Sequence, residues 1–436
     1  VCFVPKAAKW IYVEGVVVLS DADLPLQGLL GVIAIFGLAW IWSEDRRQRP
    51  FRLIASTLAL QALILLSVTF IPFIKTGLFA ISSFVRLIQD ATLQGTSFVF
   101  GYLGGGPAPF EVSDANAMLI LGIQTLPIIL VTSALAAILW HLGILRWIVN
   151  GLSWALKKAT RIGGATSLGA AGNIFMGMIE APILIRPYLE SLSRGELLII
   201  MTTGLATVAG TVLAIYAAIL EPVIPGALGH ILTASLLSVP GAIAIAKIMI
   251  PDDGQTQIDG AGTTLQYRSV IDAFAKGTQD GVIIMVNVGA TLITILALVY
   301  IVDQGLGLIG NGLGIGLSLE IIFGWIFSPL AWAIGIPWSE VSEAGALIGT
   351  KTVLNEFIAY LNLAATDDGD LSLRSRTILL YAMCGFANLG SVSMMIAGLS
   401  VMAPARRDDI IALAPRSLIG GLMATCLSGA LVGLTL

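Results

Sequence analysis

The sequence predicts an all-α polytopic membrane protein: about eight transmembrane helices plus two re-entrant helical hairpins in an inverted repeat. Three observations carry this. The chain is 57% hydrophobic with a mean hydropathy of +0.93, and only 11% of its residues are charged, against about 25% in soluble domains. Long apolar runs recur, at 116–140, 228–250 and 280–302, each able to cross ~30 Å of hydrocarbon as a helix. Two polar-tipped segments are each followed, at nearly equal spacing, by a related glycine-containing span. A β-barrel would instead show short alternating segments.

The spans follow in order. The first covers about 25–43 and ends at "SEDRRQRPFR", a basic cluster that the positive-inside rule puts in the cytoplasm. Glu14, Asp21 and Asp23 then lie outside. A second span, 53–73, returns outward. Residues 81–93 read as an interfacial amphipathic helix, with Phe84, Leu87, Ile88 and Ala91 opposite Arg86, Gln89 and Asp90. "GYLGGGP" at 101–107 lacks the G-K-[ST] of a phosphate loop and reads as a link. The third span, 116–143, ends at the basic "RWIVNGLSWALKKATR". Spans at 196–219 and 228–250 follow, and then a polar loop, 251–270. Of 280–302 and 318–336, the second is expected to cross fully and the first to lie oblique or external. The last spans are about 377–402 and 417–435, with "ARRDD" at 405–409 cytoplasmic and 365–376 outside. No secretory signal peptide is expected. The chain divides into N-terminal spans with the interfacial helix (1–115), a first repeat (116–250) and a second repeat (280–436).

The repeat rests on paired matches. Asn173-x-Phe175 has a partner in Asn355-x-Phe357. Thirty-one residues after Asn173 begins "GLATV", and thirty after Asn355 begins "GFANL". The topology places the first hairpin (163–190) inside and the second (339–363) outside, which is the inverted arrangement of many secondary transporters. It also accounts for "NIFMGMIEAPILIRP", where Glu180 interrupts an oily run. A carboxylate at the bilayer centre costs roughly 2.5–3.5 kcal/mol on insertion scales. Irregular backbone there survives only beside protein or a watery cavity. Gly177 and Pro182 bracket Glu180, so a turn at 176–179 would set the carboxylate at a hairpin tip. Glu356 takes the comparable place in the second hairpin. The blander alternative leaves each acid snorkelling at a membrane boundary. Arg186, off the face of Glu180, is expected toward the cytoplasmic mouth.

The following spans, 196–219 and 377–402, carry Thr202, Thr203 and Thr207 in one and Asn388, Ser391 and Ser393 in the other. A lone hydroxyl in a span usually bonds its own helix. Asn388 is costlier to bury unpaired and, flanked by Gly385 and Gly390, marks an opened helix. Enzyme chemistry finds little support. Neither H-E-x-x-H nor G-x-S-x-G occurs, the two histidines lie far apart, and the three cysteines fit no metal spacing. A channel lined by hairpins is a rival class that would pass solute without an ion gradient.

"GNIFMGMIEAPILIRPYL", "GLATVAGTVLA", "GTKTVLNEFIAYL" and "CGFANLGSV" resemble the concentrative nucleoside transporters, cation-coupled importers, over nearly the whole chain. The resemblance implies a homotrimer in the inner (plasma) membrane, with eight spans, two re-entrant hairpins, an interfacial helix and an external helix. It implies a nucleobase site at Met178, Ile179, Glu180 and Val212. It implies a ribose site at Glu356, Asn388 and Ser391 with Phe386 close by. It implies a sodium site at Asn173, Thr207 and the carbonyls of Met176 and Val208. A carboxylate can accept from two ribose hydroxyls and an amide can donate and accept, while sodium suits uncharged hard oxygens. A proton-coupled importer, using Glu180 or Glu356, is the runner-up, followed by a carrier of another sugar-containing molecule. One position departs from the family. Sodium-coupled relatives read Gln-Thr-Glu where this chain reads Met178-Ile179-Glu180, so an altered base preference is expected.

Overall fold

The computed structural model describes residues 12–13, 16–17, 24–47, 50–112, 118, 120–251, 256, 266–313, 317–367 and 369–436. Apart from a two-residue antiparallel pair at Tyr12–Val13 and Val16–Val17, the described chain is helical. Three helices come first: α1 (Leu24–Ile41), α2 (Phe51–Phe70) and α3 (Pro72–Phe100). Then come α4 (Ile128–His141), α5 (Ile144–Thr160), α6 (Gly164–Gly172), α7 (Glu180–Ile183), α8 (Arg194–Leu205), α9 (Gly210–Leu220) and α10 (Ala227–Met249). The last group is α11 (Val270–Leu313), α12 (Leu319–Ala333), α13 (Val341–Val353), α14 (Glu356–Ala365), α15 (Leu373–Met383), α16 (Leu389–Met402) and α17 (Arg407–Gly433). Six segments among the described residues are long and apolar enough to cross a membrane, and shorter apolar helices accompany them.

Local chemistry sets the breaks. The step from α13 to α14 falls at Asn355, whose Oδ1 caps α14 by accepting from the Ile358 amide at 2.9 Å. Asn388 caps α16 the same way, accepting from the Ser391 amide at 2.8 Å. Such caps satisfy an otherwise orphaned donor. The interruptions of α8/α9 and α15/α16 meet each other. A Cβ on Gly385 would lie 2.8 Å from the Leu205 carbonyl oxygen, and the Phe386 amide donates to the Thr207 carbonyl at 3.2 Å. Only a glycine allows that approach. Around this crossing pack the buried α10 and α17, whose small residues let backbones close up; Gly421 faces Leu205 at 2.9 Å from its notional Cβ.

Polar contacts gather at two ends. At one, Glu44 pairs with Arg194 at 2.9 Å and also with Arg416, Arg406 reaches the Glu190 and Leu192 carbonyls, and Thr256 bonds Glu196. Burial alone would push the Glu44 carboxyl up, but Arg416 and Arg194 outweigh it and hold it below the usual carboxylate range. At the other end, Gln27 bonds the Trp332 and Ile336 carbonyls, Arg374 bonds those of Gly335 and Gly433, and Ser372 bonds Glu340.

Several expectations change. The interfacial segment 81–93 belongs to a 29-residue helix, α3. Its inward face is Ile88, Thr92 and Thr96, while Leu87 is 61% exposed. Gln89, expected on the outer face, donates to the Ala214 carbonyl at 3.2 Å. The buried face follows Ile88, Thr92 and Thr96, which share one side of the helix, with Gln89 reaching α9 beside it. Residues 280–302 are the middle of a single 44-residue helix, α11, about 66 Å long at 1.5 Å per residue. It is largely exposed along its apolar length, as an external helix would be. By length it is the crossing candidate of the two, since α12 has 15 residues where about 20 are needed. Glu14, Asp21, Asp23, the side chain of Phe84, the start of the third span and most of loop 251–270 lie outside the described residues.

Candidate functional site

A cavity of about 180 Å³ lies where α7, α9, α14 and α16 begin. Met178, Ile179, Glu180, Val212, Glu356, Phe386, Asn388 and Ser391 all line it, so the residues expected on both sides of a ligand face one space. Four helix N-termini point their partial positive charge at it, which favours carboxylates in that position. Glu180 and Glu356 are each the first residue of their helix.

One wall is a polar cluster. Glu356, 5% exposed, accepts from Tyr216 Oη at 2.7 Å and from Asn388 Nδ2 at 2.9 Å. Asn388 Oδ1 is committed to its cap, so the amide is locked in one orientation. The carboxylate keeps free lone pairs and presents them in a site where charge-assisted bonds are strong. Phe357 and Tyr360 buttress Tyr216, with ring centroids 6.1 and 5.2 Å away.

The opposite wall is the turn between α6 and α7. The Gly210 amide donates to the Phe175 carbonyl at 3.0 Å, tying this turn to the break in α8/α9. Glu180 folds back over Gly177, so that a Cβ on Gly177 would collide with Oε2. Gly177→Ala is therefore expected to swing the carboxylate out of the cavity and lower uptake at least tenfold, while Gly289→Ala, whose Cβ finds only an ordinary contact at 3.7 Å, leaves uptake unchanged. Uptake by membranes matched for expression checks this. Ile179 packs on Gly398, 3.1 Å from its notional Cβ, and Met178 is 7% exposed. Both put apolar surface on this wall.

Beside the turn, Asn173 caps the end of α6 and is fully buried. Its Nδ2 donates to Thr203 Oγ1 at 3.0 Å, which leaves Oδ1 buried with no hydrogen-bond partner. Such an oxygen normally costs about 1–3 kcal/mol. Thr207 Oγ1 donates to the Thr203 carbonyl at 3.0 Å and retains acceptor capacity. Among the described residues no amide donates to the carbonyls of Met176 or Val208. An orphaned amide oxygen with a hydroxyl and free carbonyls nearby is a donor set that fits a hard monovalent cation.

The sequence reading missed Tyr216, Thr211, Asn287 and Thr291, which also line the cavity. Tyr216 stands one helical turn beyond Val212, which was the available signal. Asn287 and Thr291 come from α11, far along the chain from α9, and nothing in their local pattern points to the cavity.

The architecture and this cavity define a multi-pass helical carrier of small solutes, not an enzyme. Residues 30–103 match the model of the Na+ dependent nucleoside transporter N-terminus, 122–223 that of the nucleoside recognition gate, and 230–433 that of the Na+ dependent nucleoside transporter C-terminus. The chain is 36% identical to the uncharacterized transporter YutK of Bacillus subtilis over 94% of its own length and 99% of that protein's. It is 33% identical to the nucleoside permease NupC of Helicobacter pylori over 94% and 97%. It superposes on CNTnw, solved in an inward-facing substrate-bound state, with a TM-score of 0.85 at 34% identity, covering 94% of this chain and 97% of that one. The chain belongs to the concentrative nucleoside transporter family and is a multi-pass protein of the plasma membrane.

Proposed function

We propose that this protein imports nucleosides against their gradient, driven by sodium, through alternating access around the cavity between the two hairpins. The observation that carries the reading is the Tyr216–Glu356–Asn388 cluster sharing one largely apolar cavity with Glu180. A ribose offers two adjacent hydroxyls to Glu356 and Asn388, with Ser391 alongside and Phe386 against the sugar. The base lies toward Met178, Ile179 and Val212, with Glu180 accepting from a base N–H. Sodium is held by Asn173, Thr207 and the carbonyls of Met176 and Val208, where it supplies charge that the nucleoside lacks.

Re-entry of both hairpins is supported by their anchors. The first begins beside Thr256, whose carbonyl accepts from the Ala165 amide at 3.1 Å, and returns to the same end at Glu190. The second begins at Glu340 and returns at Thr366, bonded by Arg376 at 2.8 Å, at the opposite end. Two hairpins entering from opposite sides form the inverted repeat. The exposed apolar face of α11, including Ile293 and Leu308 at 73% and 77%, suits lipid or the neighbours of a homotrimer.

The orphaned, uncharged Asn173 Oδ1 favours sodium over a proton, because a proton needs a titratable group. Proteoliposomes given labelled uridine or adenosine test this with Na+ and H+ gradients imposed separately. Accumulation is expected with the sodium gradient alone. Accumulation with the proton gradient alone would overturn the sodium assignment, and no saturable uptake of either nucleoside would overturn the transport reading.

The apolar turn sets base preference. Met178→Gln with Ile179→Thr restores two hydrogen-bonding groups that a base must then satisfy, and a mismatched base leaves them unpaired at about 1–3 kcal/mol each. The double variant is expected to discriminate among bases at least tenfold more sharply than the native protein in competition uptake. An unchanged selectivity profile refutes the role of these two positions.

A further inference from the structure

A second cavity, about 70 Å³, lies behind Glu180, between the first hairpin, α4 and the N-terminal third of α11. Glu180 and Thr211 line both cavities, so the carboxylate is a shared wall. Asp280 stands on the far side. Its outer edge is exposed, which leaves a small solute a way in. Two hydroxyl oxygens in this lining, Ser133 Oγ and Thr211 Oγ1, are buried with no hydrogen-bond partner, and Ser133 is only 6% exposed. Unpartnered buried hydroxyls are costly, so something that occupies the cavity is their natural partner.

Of the neighbouring cations, Lys276 lies near enough to act on Asp280 and over the lining Tyr267, yet neither it nor Arg146 forms an ion pair with the two acids. Lys276 pairs with Asp272 at 3.5 Å and lies 5.8 Å from the Tyr267 ring centre. Arg146 lies 5.7 Å from the Trp140 ring centre. No ion pair to Glu180 or Asp280 occurs among the described residues. The cavity is also rigidly framed. Notional Cβ atoms on Gly277 and Gly281 would lie 2.8 and 2.9 Å from α4 backbone atoms, so α11 is pressed on α4 and Asp280 is fixed relative to Ser133.

We propose that this cavity is a second cation site, taking a small monovalent ion held by the carboxylates of Glu180 and Asp280 and the hydroxyls of Ser133 and Thr211. The ligands are all hard oxygens, and none is shared with the Asn173 site. An ion there neutralises Glu180 from behind while its other face meets the base, which couples ion occupancy to nucleoside binding. That coupling rests on the transport reading, but occupancy of the site does not.

The test is equilibrium binding of radioactive sodium to purified full-length protein at constant pH, with lithium, potassium and calcium as competitors. The native protein is expected to bind two sodium ions per protomer. Asp280→Asn and Ser133→Ala are each expected to leave one. Asn173→Leu removes the other, so the surviving ion in each variant reports an intact fold. Sodium binding that neither Asp280→Asn nor Ser133→Ala reduces overturns the proposal; a single native ion that both remove and Asn173→Leu keeps supports it and overturns the Asn173 site instead. Displacement of the second ion by calcium in preference to sodium overturns its monovalent character. Loss of nucleoside uptake in the native protein would sink the transport reading and leave the ion count standing.

Discussion

Glu356→Ala is expected to abolish concentrative uptake and to weaken nucleoside binding by two or more orders of magnitude. The carboxylate is the acceptor on which Tyr216 and Asn388 converge, and it is the group with capacity left for two ligand hydroxyls. Hydrogen bonds to charged groups contribute about 1.5–3 kcal/mol each. Losing two therefore corresponds to roughly 10²- to 10⁴-fold in affinity, at 1.4 kcal/mol per tenfold. Glu356→Gln keeps one acceptor oxygen and the side-chain volume, and should fall between, about 10- to 100-fold weaker. Tyr216→Phe removes one bond to the carboxylate without touching the ligand and should cost less than tenfold. Equilibrium binding of labelled nucleoside to purified protein gives all three, and thermal unfolding separates loss of the site from loss of the fold. Binding by Glu356→Ala within a few-fold of native would remove this residue from the site.

Asn173→Leu is expected to raise the sodium requirement of uptake sharply. Leucine keeps the branched side-chain skeleton but deletes the buried Oδ1 that has no protein partner and the Nδ2 that holds Thr203. Loss of one oxygen ligand at about 1–3 kcal/mol raises the sodium concentration for half-maximal stimulation roughly 10- to 100-fold. Nucleoside binding at saturating substrate should persist, because Glu356, Asn388 and Glu180 are unaltered. Sodium titration of initial uptake rates checks both parts. An unchanged sodium dependence would place the ion elsewhere.

Much of this was readable from residue types. Glu180 and Glu356 could not sit in continuous apolar spans, so turns were implied. Asn388, with Gly385 and Gly390 nearby, implied an opened helix, and the break before α16 falls there; Asn355 entered only as a repeat match, and its cap on α14 came from the structure. What sequence could not supply was rotation and length. The rotation of α3 brings Gln89 to a carbonyl on α9, a contact across 125 residues that no local pattern announces. The extent of α11 was hidden because its apolar centre resembles an ordinary span and its polar ends resemble loops. Tyr216 looked like one more apolar residue of α9, since its role depends on a carboxylate 140 residues away. Asp280, Asn287 and Thr291 escaped notice because α11 contributes them as an isolated polar stripe whose partner, the first hairpin turn, is specified only by packing.

The central claim is tested most directly by a density map of the protein with uridine and sodium bound. The account predicts ribose density within hydrogen-bonding reach of Glu356 and Asn388, the base against Val212 and the Met178–Glu180 turn, and an ion beside Asn173 Oδ1. Uridine density outside the space between Glu180 and Glu356, with that space filled by side chains, would contradict it.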